Sequence, residues 1–231
     1  MTDSGAEHVI LWYGELERRL LEILHFVPFS EENRSAHLPL LAPVIVEAGS
    51  IIDTVFREEY TGTRPDGRQL GIGDFASHYE PMFSLAELRS LIYQYPPRLL
   101  APFRGWTSEK TGNYSGLDWW LAHNKLKHNR VEEHELATLH TAVNILCALH
   151  QVLSTFPVFV RALWRHDFLA SGNHRHLVGE NIEDTGVMED ALVETALFAT
   201  SVGQNRFPNQ VRDITPFWTN SQRLARFLGR Q

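Results

Sequence analysis

The chain has 231 residues, enough for one sizeable domain. Hydrophobic residues make up 43% and charged residues 21%, a globular balance that buries a core without help from disulfides or metal. A formal charge of −7 excludes nucleic-acid affinity over the whole surface, because phosphate binding is built from clustered Lys and Arg; any such contact must be local.

Residues 7–27 predict an amphipathic helix, with Val9, Trp12, Tyr13, Leu16, Leu20, Ile23, Leu24 and Val27 on one buried face and Pro28 ending it. A second helix is expected from near Pro43 to Tyr60, with Ile45, Ala48, Ile52, Val55 and Phe56 as its stripe. Gly49 in this helix either allows a neighbouring helix to approach closely or is a tolerated glycine. Residues 61–73 are turn-rich. A short helix follows from Asp74, and Ser84 with Glu87 resembles a capping box for another. Residues 91–106 hold three prolines, which rules out a continuous helix and favours extended chain with a short strand.

Ser115 and Asp118 suit the start of the next helix. That helix, or its direct successor after a break near Asn129, continues into residues 132–153, apolar on most sides and therefore central. Pro157 opens a helix to about Leu169. A polar loop over 171–187 precedes an expected helix over Met188–Val202. Thr219 with Gln222 caps a last short helix carrying Arg223, Arg226 and Arg230 on one face. The fold class expected is mainly α: one helical bundle over 1–231, an irregular insertion at about 61–114 with a short β element, and a flexible C-terminal segment at about 203–231.

The single Cys147 excludes an intrachain disulfide and suits a reducing compartment. The N-terminus lacks the cationic start and apolar run of a signal peptide. No apolar stretch reaches the roughly 18 residues that a membrane helix needs. A cytoplasmic location without a membrane partner is expected.

The segment Trp119-Trp120-Leu-Ala-His123-Asn124-Lys-Leu-Lys127-His128-Asn-Arg130 holds two of the chain's three lysines together with two Trp, two His and an Arg. At about 100° per residue, Trp120, Asn124, Lys127 and His128 share a stripe, while Trp119, Ala122 and Leu126 point to the core. His123 and Arg130 lie between these two faces. Aromatic and cationic groups together suit base stacking with phosphate contact. The alternative is structural: Asn124 ties down a loop, His128 is a satisfied semi-buried group, and Lys127 and Arg130 are solvated or paired with Glu132 and Glu133.

This segment, preceded by Pro102-Phe103-x-x-Trp106, resembles a Trp-Trp-x-x-Tyr-Asn-Lys-Val-Lys-His-x-Arg stretch in a group of uncharacterised bacterial proteins. His123 stands in place of their Tyr. That group is similar to the HEPN-like helical superfamily, which includes nucleotide-binding proteins and ribonucleases of defence and toxin systems. The resemblance covers residues 84–153. Its ribonucleases use an Arg, four to six further residues and a His on one helix, for which Arg161 with His166, or Arg18 or Arg19 with His25, would serve here. About three such pairs arise by chance in this composition, and Ala162 replaces the polar residue that usually follows the Arg.

His166, Asp167, His174 and His176 contain a His-x-His beside an Asp, but at no closed metal-site spacing, so no metal is expected. There is no phosphate loop, nucleophile elbow or His-Glu-x-x-His, and no cofactor is implied. Cys147 in an apolar helix reads as core. The function expected is non-enzymatic binding of a partner, a nucleotide or a short RNA through Trp120, Asn124, Lys127 and His128, with Arg130. The alternatives are a metal-independent, dimeric ribonuclease and a purely structural motif.

Overall fold

The computed structural model describes residues 1–63, 69–107, 116–169, 191–203, 206–214 and 221–229. These residues form seven α-helices and four strands. The helices are α1 (Asp3–Phe26), α2 (Leu41–Glu58), α3 (Ile72–Phe83), α4 (Asp118–His128), α5 (Leu139–Thr155), α6 (Val160–Arg165) and α7 (Gln222–Leu228). The strands are β1 (Ser90–Ile92), β2 (Arg98–Leu100), β3 (Ala191–Glu194) and β4 (Phe198–Val202), joined antiparallel in the order β2-β1-β4-β3. Among the described residues no single helix is long and apolar enough to cross a membrane.

The chain divides into two compact units. One comprises Met1, Glu22–Glu87 and Ala101–Leu149; the other comprises Thr2–Leu21, Leu88–Leu100 and His150–Gln231. The division runs through α1 and α5, so no linker announces it in the sequence.

The first unit is built on α2, α3, α4 and the first part of α5. The α2 stripe holds as expected: Ile45, Ala48, Ile52, Val55 and Phe56 are buried. Phe56 anchors an aromatic cluster. Trp106 stacks on it at 5.5 Å, Tyr79 lies at 5.1 Å and Phe75 at 5.4 Å. Each polar aromatic donates its one hydrogen to a backbone carbonyl: Tyr79 to Phe56 at 2.7 Å and Trp106 to Ile72 at 3.1 Å. Buried aromatics persist where that polar handle is satisfied.

Gly49 brings α2 against α4. A Cβ built there would stand 2.3 Å from His123 Nδ1 and 2.4 Å from its Cγ. Gly49→Ala gains about 1 kcal/mol of helix propensity but overpacks at the upper end of the usual ~1–3 kcal/mol. The expected net loss of about 2 kcal/mol lowers Tm by roughly 4–8 °C in a chain of this size. An unchanged Tm in calorimetry would mean that the imidazole moves aside freely.

The second unit holds the sheet. β1 pairs with β2 (Leu91 opposite Leu99) and with β4 (Leu91 opposite Ala199), and β3 pairs with β4 (Val193 opposite Thr200). Leu91, Leu192, Ala199, Phe207, Ile214, Leu224 and Leu228 form one core cluster. Ser90 and Thr200 hydroxyls meet at 2.5 Å, and Gln151 Nε2 donates to Ser90 Oγ at 2.9 Å, so the polar groups of the central strands answer one another.

Several expectations are corrected. Residues 191–202 form the β3–β4 hairpin instead of a helix over Met188–Val202; Val193, Thr195, Thr200 and Val202 are β-branched, and β4 is buried throughout. The helix after Pro157 ends at Arg165, four residues short of Leu169. The region 61–114 carries α3 and two strands, not one. Trp12 lies outside the buried face of α1, 62% exposed, where Ile10 is buried instead. Of the expected C-terminal segment, 204–205, 215–220 and 230–231 lie outside the described residues, as does the loop 171–187. Ser221, not Thr219, caps α7, its Oγ accepting from Leu224 N at 3.0 Å.

Candidate functional site

Helix α4 carries the polar segment, and its geometry splits that segment in two. Trp119 packs edge-on against Phe103 at 5.4 Å and donates its indole N–H to the Pro102 carbonyl at 2.7 Å. Phe103 in turn lies 5.0 Å from Trp106. The Pro102-Phe103-x-x-Trp106 stretch is therefore the packing partner of Trp119. Ala122 and Leu126 are buried on the same helix, as the helical periodicity requires.

Trp120 departs from expectation. It is only 6% exposed and sits against Trp119 at 5.8 Å and His123 at 5.3 Å. A ring enclosed this way offers no face for a base to stack on. Asn124 is half-buried, and its Nδ2 donates to the Trp120 carbonyl one turn back, at 2.9 Å. That bond ties α4 to itself rather than to a loop or a ligand.

Lys127, His128 and Arg130 remain. All three are exposed, at the end of α4 and just past it. None forms a hydrogen bond or ion pair with another described residue, and Glu132 and Glu133 do not pair with them. Instead Lys125 pairs with Glu133 at 3.2 Å and Asn129 donates to Glu132. Positive charge at a helix C-terminus is favoured by the helix dipole whether or not a ligand exists. On a chain of charge −7, three adjacent cationic or protonatable groups without a carboxylate partner still make a local surface suited to an anion.

His123, which the helical projection leaves between the two faces, is 1% exposed. Burial pushes its imidazole down to about 4, with Lys127 adding to the effect while Asp53 opposes it. It is neutral at pH 7. Its Nδ1 and the Oδ1 of Asp53 are both buried without a hydrogen-bond partner among the described residues.

Arg161 and His166 lie in the second unit. Arg161 pairs with Asp3 at 3.3 Å, and His166 Nε2 meets Glu7 at 2.7 Å. Arg165 reaches the same Glu7 at 2.7 Å, and these two neighbours, Arg165 first, hold its carboxyl below the ordinary range. The acidic first turns of α1 thus occupy both side chains of the candidate nuclease pair. His174 and His176 lie outside the described residues. Among the described residues no group of three or more His, Cys, Asp or Glu is placed to hold a metal ion. Cys147 is fully buried in α5.

Two constellations in the second unit were not anticipated. The first centres on Glu17, a carboxylate only 4% exposed. It accepts from Tyr13 Oη at 2.8 Å, from Thr195 Oγ1, from Ala196 N at 3.0 Å and from Leu197 N at 2.9 Å. His150 Nδ1 lies 3.4 Å from the Tyr13 hydroxyl, and its Nε2 is buried without a partner. The signal for this site is the position of Glu17: one turn after Tyr13 and just before Leu20, it sits on the apolar stripe of α1.

The second is a concavity of about 580 Å³ lined by Tyr93, Glu194, Ser221, Gln222, Arg223, Arg226 and Phe227. Arg223 is not the free basic group its stripe suggests. It donates to the carbonyls of Thr195, at 2.5 Å, and Ala196, and its guanidinium lies 4.3 Å over the Tyr93 ring. The Tyr93 hydroxyl donates to Glu194; burial first, then the carboxylate, raises the phenol's pKa, so it stays protonated.

No family model, curated protein or solved structure matches this chain.

Proposed function

We propose that this protein is a non-enzymatic binding module that holds a phosphate-bearing ligand, a short RNA or a nucleotide, on the cationic end of α4. The observation that supports the reading is the exposure of Lys127, His128 and Arg130 with no carboxylate paired to any of them among the described residues. Enclosure of Trp120 takes aromatic stacking out of the reading and leaves phosphate contact as its basis. Binding of this kind is salt-dependent, with log K falling by about 0.7 per phosphate contact for a single strand for each tenfold rise in salt.

The test is fluorescence anisotropy of a labelled single-stranded RNA across a salt series. Substituting Lys127, His128 and Arg130 together by Ala is expected to weaken binding and to flatten the salt slope by about 1.4, from Lys127 and Arg130 alone. Binding that keeps its affinity and slope in that variant refutes the proposal, as does the absence of binding by the wild-type chain at low salt. The same samples, run on a denaturing gel, read the HEPN-type ribonuclease alternative. Cleavage abolished by a joint Arg161→Ala, His166→Ala substitution would replace binding with catalysis.

A further inference from the structure

The cavity beside α7 holds opposite charges that are arranged differently from one another. Glu194 is fixed through one oxygen: Tyr93 donates to its Oε1, and Ser221 Oγ donates to the same atom at 2.7 Å. Its Oε2 accepts no hydrogen bond from a described residue. Ser221 is itself held as the α7 cap by Leu224 N. The carboxylate is therefore oriented, with one oxygen unused by the described residues.

The two arginines of the lining differ. Arg223 is committed to two carbonyls and to the Tyr93 ring. Arg226 is exposed and, among the described residues, makes only a 3.3 Å bond to Gln222 of its own helix. Its guanidinium forms no ion pair with a described residue. Phe227 meets Tyr93 edge-on at 5.1 Å and supplies an apolar wall. A volume of about 580 Å³ lies within the range usual for small-molecule sites.

We propose that this cavity binds a small zwitterion with an apolar side group, such as a free α-amino acid or a dipeptide. The ligand's ammonium is received by Glu194 Oε2 and its carboxylate by Arg226. The charge pattern selects this class. A ligand bearing only an anion leaves Glu194 facing it, and one bearing only a cation leaves Arg226 facing it. A like-charge juxtaposition of that kind costs affinity that a dipolar ligand recovers at both ends. A single carboxylate oxygen with no second acidic or imidazole ligand does not make a metal site. This inference concerns a different unit from α4 and is independent of the RNA reading.

The test is isothermal titration of the full chain with L-phenylalanine, L-leucine and Gly-Leu, against N-acetyl-L-phenylalanine and L-phenylalaninamide, which each lack one charge. At least one zwitterion is expected to bind, with both singly charged analogues weaker by about tenfold or more. Arg226→Ala, at an exposed position, is expected to abolish the preference for phenylalanine over its amide. Glu194→Gln, which keeps an acceptor for Tyr93 and Ser221, is expected to abolish the preference over the acetylated form. No binding of any zwitterion at millimolar concentration, or equal binding of the three phenylalanine forms, overturns the proposal. So does an Arg226→Ala variant that binds as the wild type does.

Discussion

Unfolding free energy is expected to fall by on the order of 6 kcal/mol between pH 7 and pH 4, through two histidines buried in neutral form. Burial holds His123 down to about 4 and His150 down to about 3, against an ordinary value of 6.5. Both side chains are almost wholly enclosed, at 1% exposure. The unfolded chain binds a proton at each as pH drops below 6.5, while the folded chain does not. Stability is thus full above pH 6.5 and is lost as pH falls toward the folded values, at about 1.4 kcal/mol per pH unit for each site. His140, half-buried near Arg34, shifts the same way and steepens the curve. Carboxylates held low by arginines, Glu15 at about 2 among them, give up their contribution only below about pH 4.5 and so occupy a later window. Denaturant titrations from pH 7 to pH 4.5 check this. His123→Gln and His150→Gln should each remove one proton from the slope, and a slope unchanged by both would show that these imidazoles do not carry it.

The other large effect belongs to Glu17. Glu17→Ala leaves Tyr13, Thr195, Ala196 N–H and Leu197 N–H without their acceptor. The two hydroxyls lie 3.1 Å apart and can turn to each other, but the two backbone donors cannot. The Leu197 N–H is buried and the Ala196 N–H only part-buried. An unsatisfied buried N–H costs about 1–3 kcal/mol and a part-buried one less, so a loss of about 2–4 kcal/mol is expected. Glu17→Gln keeps one acceptor oxygen but turns an amide N–H toward donors, and should fall between. Chemical denaturation gives the answer directly. A Glu17→Ala chain within 1 kcal/mol of wild type would mean that water supplies the missing acceptor.

Glu17 also explains the chief misreading of the fold from sequence. Met188–Val202 is rich in Ala, Leu and Glu, and its local pattern favours helix. The chain turns at Thr195–Leu197 instead, where Glu17 accepts both N–H groups of the turn and the Thr195 hydroxyl. That carboxylate is nearly 180 residues away in sequence, so no local rule contains it. Tertiary context overrides propensity most easily in short segments. The long periodic helices were legible for the opposite reason: the α2 stripe, the all-round burial of α5 and the inward Trp119 and Leu126 follow from 3.6-residue geometry alone. Gly49 was legible as a close-approach point. That His123 would be its neighbour was not.

The candidate site was half legible. Periodicity separates Trp119 from Lys127 and His128, but a projection cannot say how wide the buried face is. Trp120 lies near the edge of that face, and the neighbouring ring of Trp119 and imidazole of His123 enclose it. The proposed zwitterion cavity has no sequence signature because Tyr93 follows β1, Glu194 ends β3 and Arg226 lies on α7, all far apart in the chain. The Glu17 carboxylate on the α1 stripe does carry a signal in the sequence. A charged residue at a core position of an amphipathic helix signals a buried partner elsewhere in the chain.

One twelve-residue segment divides into an aromatic part, Trp119 and Trp120, that is buried in packing and an exposed cationic part that we propose binds RNA. The measurement that addresses it most directly sets two variants against each other, with RNA anisotropy and melting temperature read on both. Joint substitution of Lys127, His128 and Arg130 by Ala should weaken RNA binding and flatten its salt slope at an unchanged Tm, while Trp120→Phe should lower Tm and leave RNA affinity intact. The opposite pattern, with RNA affinity lost in Trp120→Phe at wild-type Tm and kept in the triple variant, would contradict it.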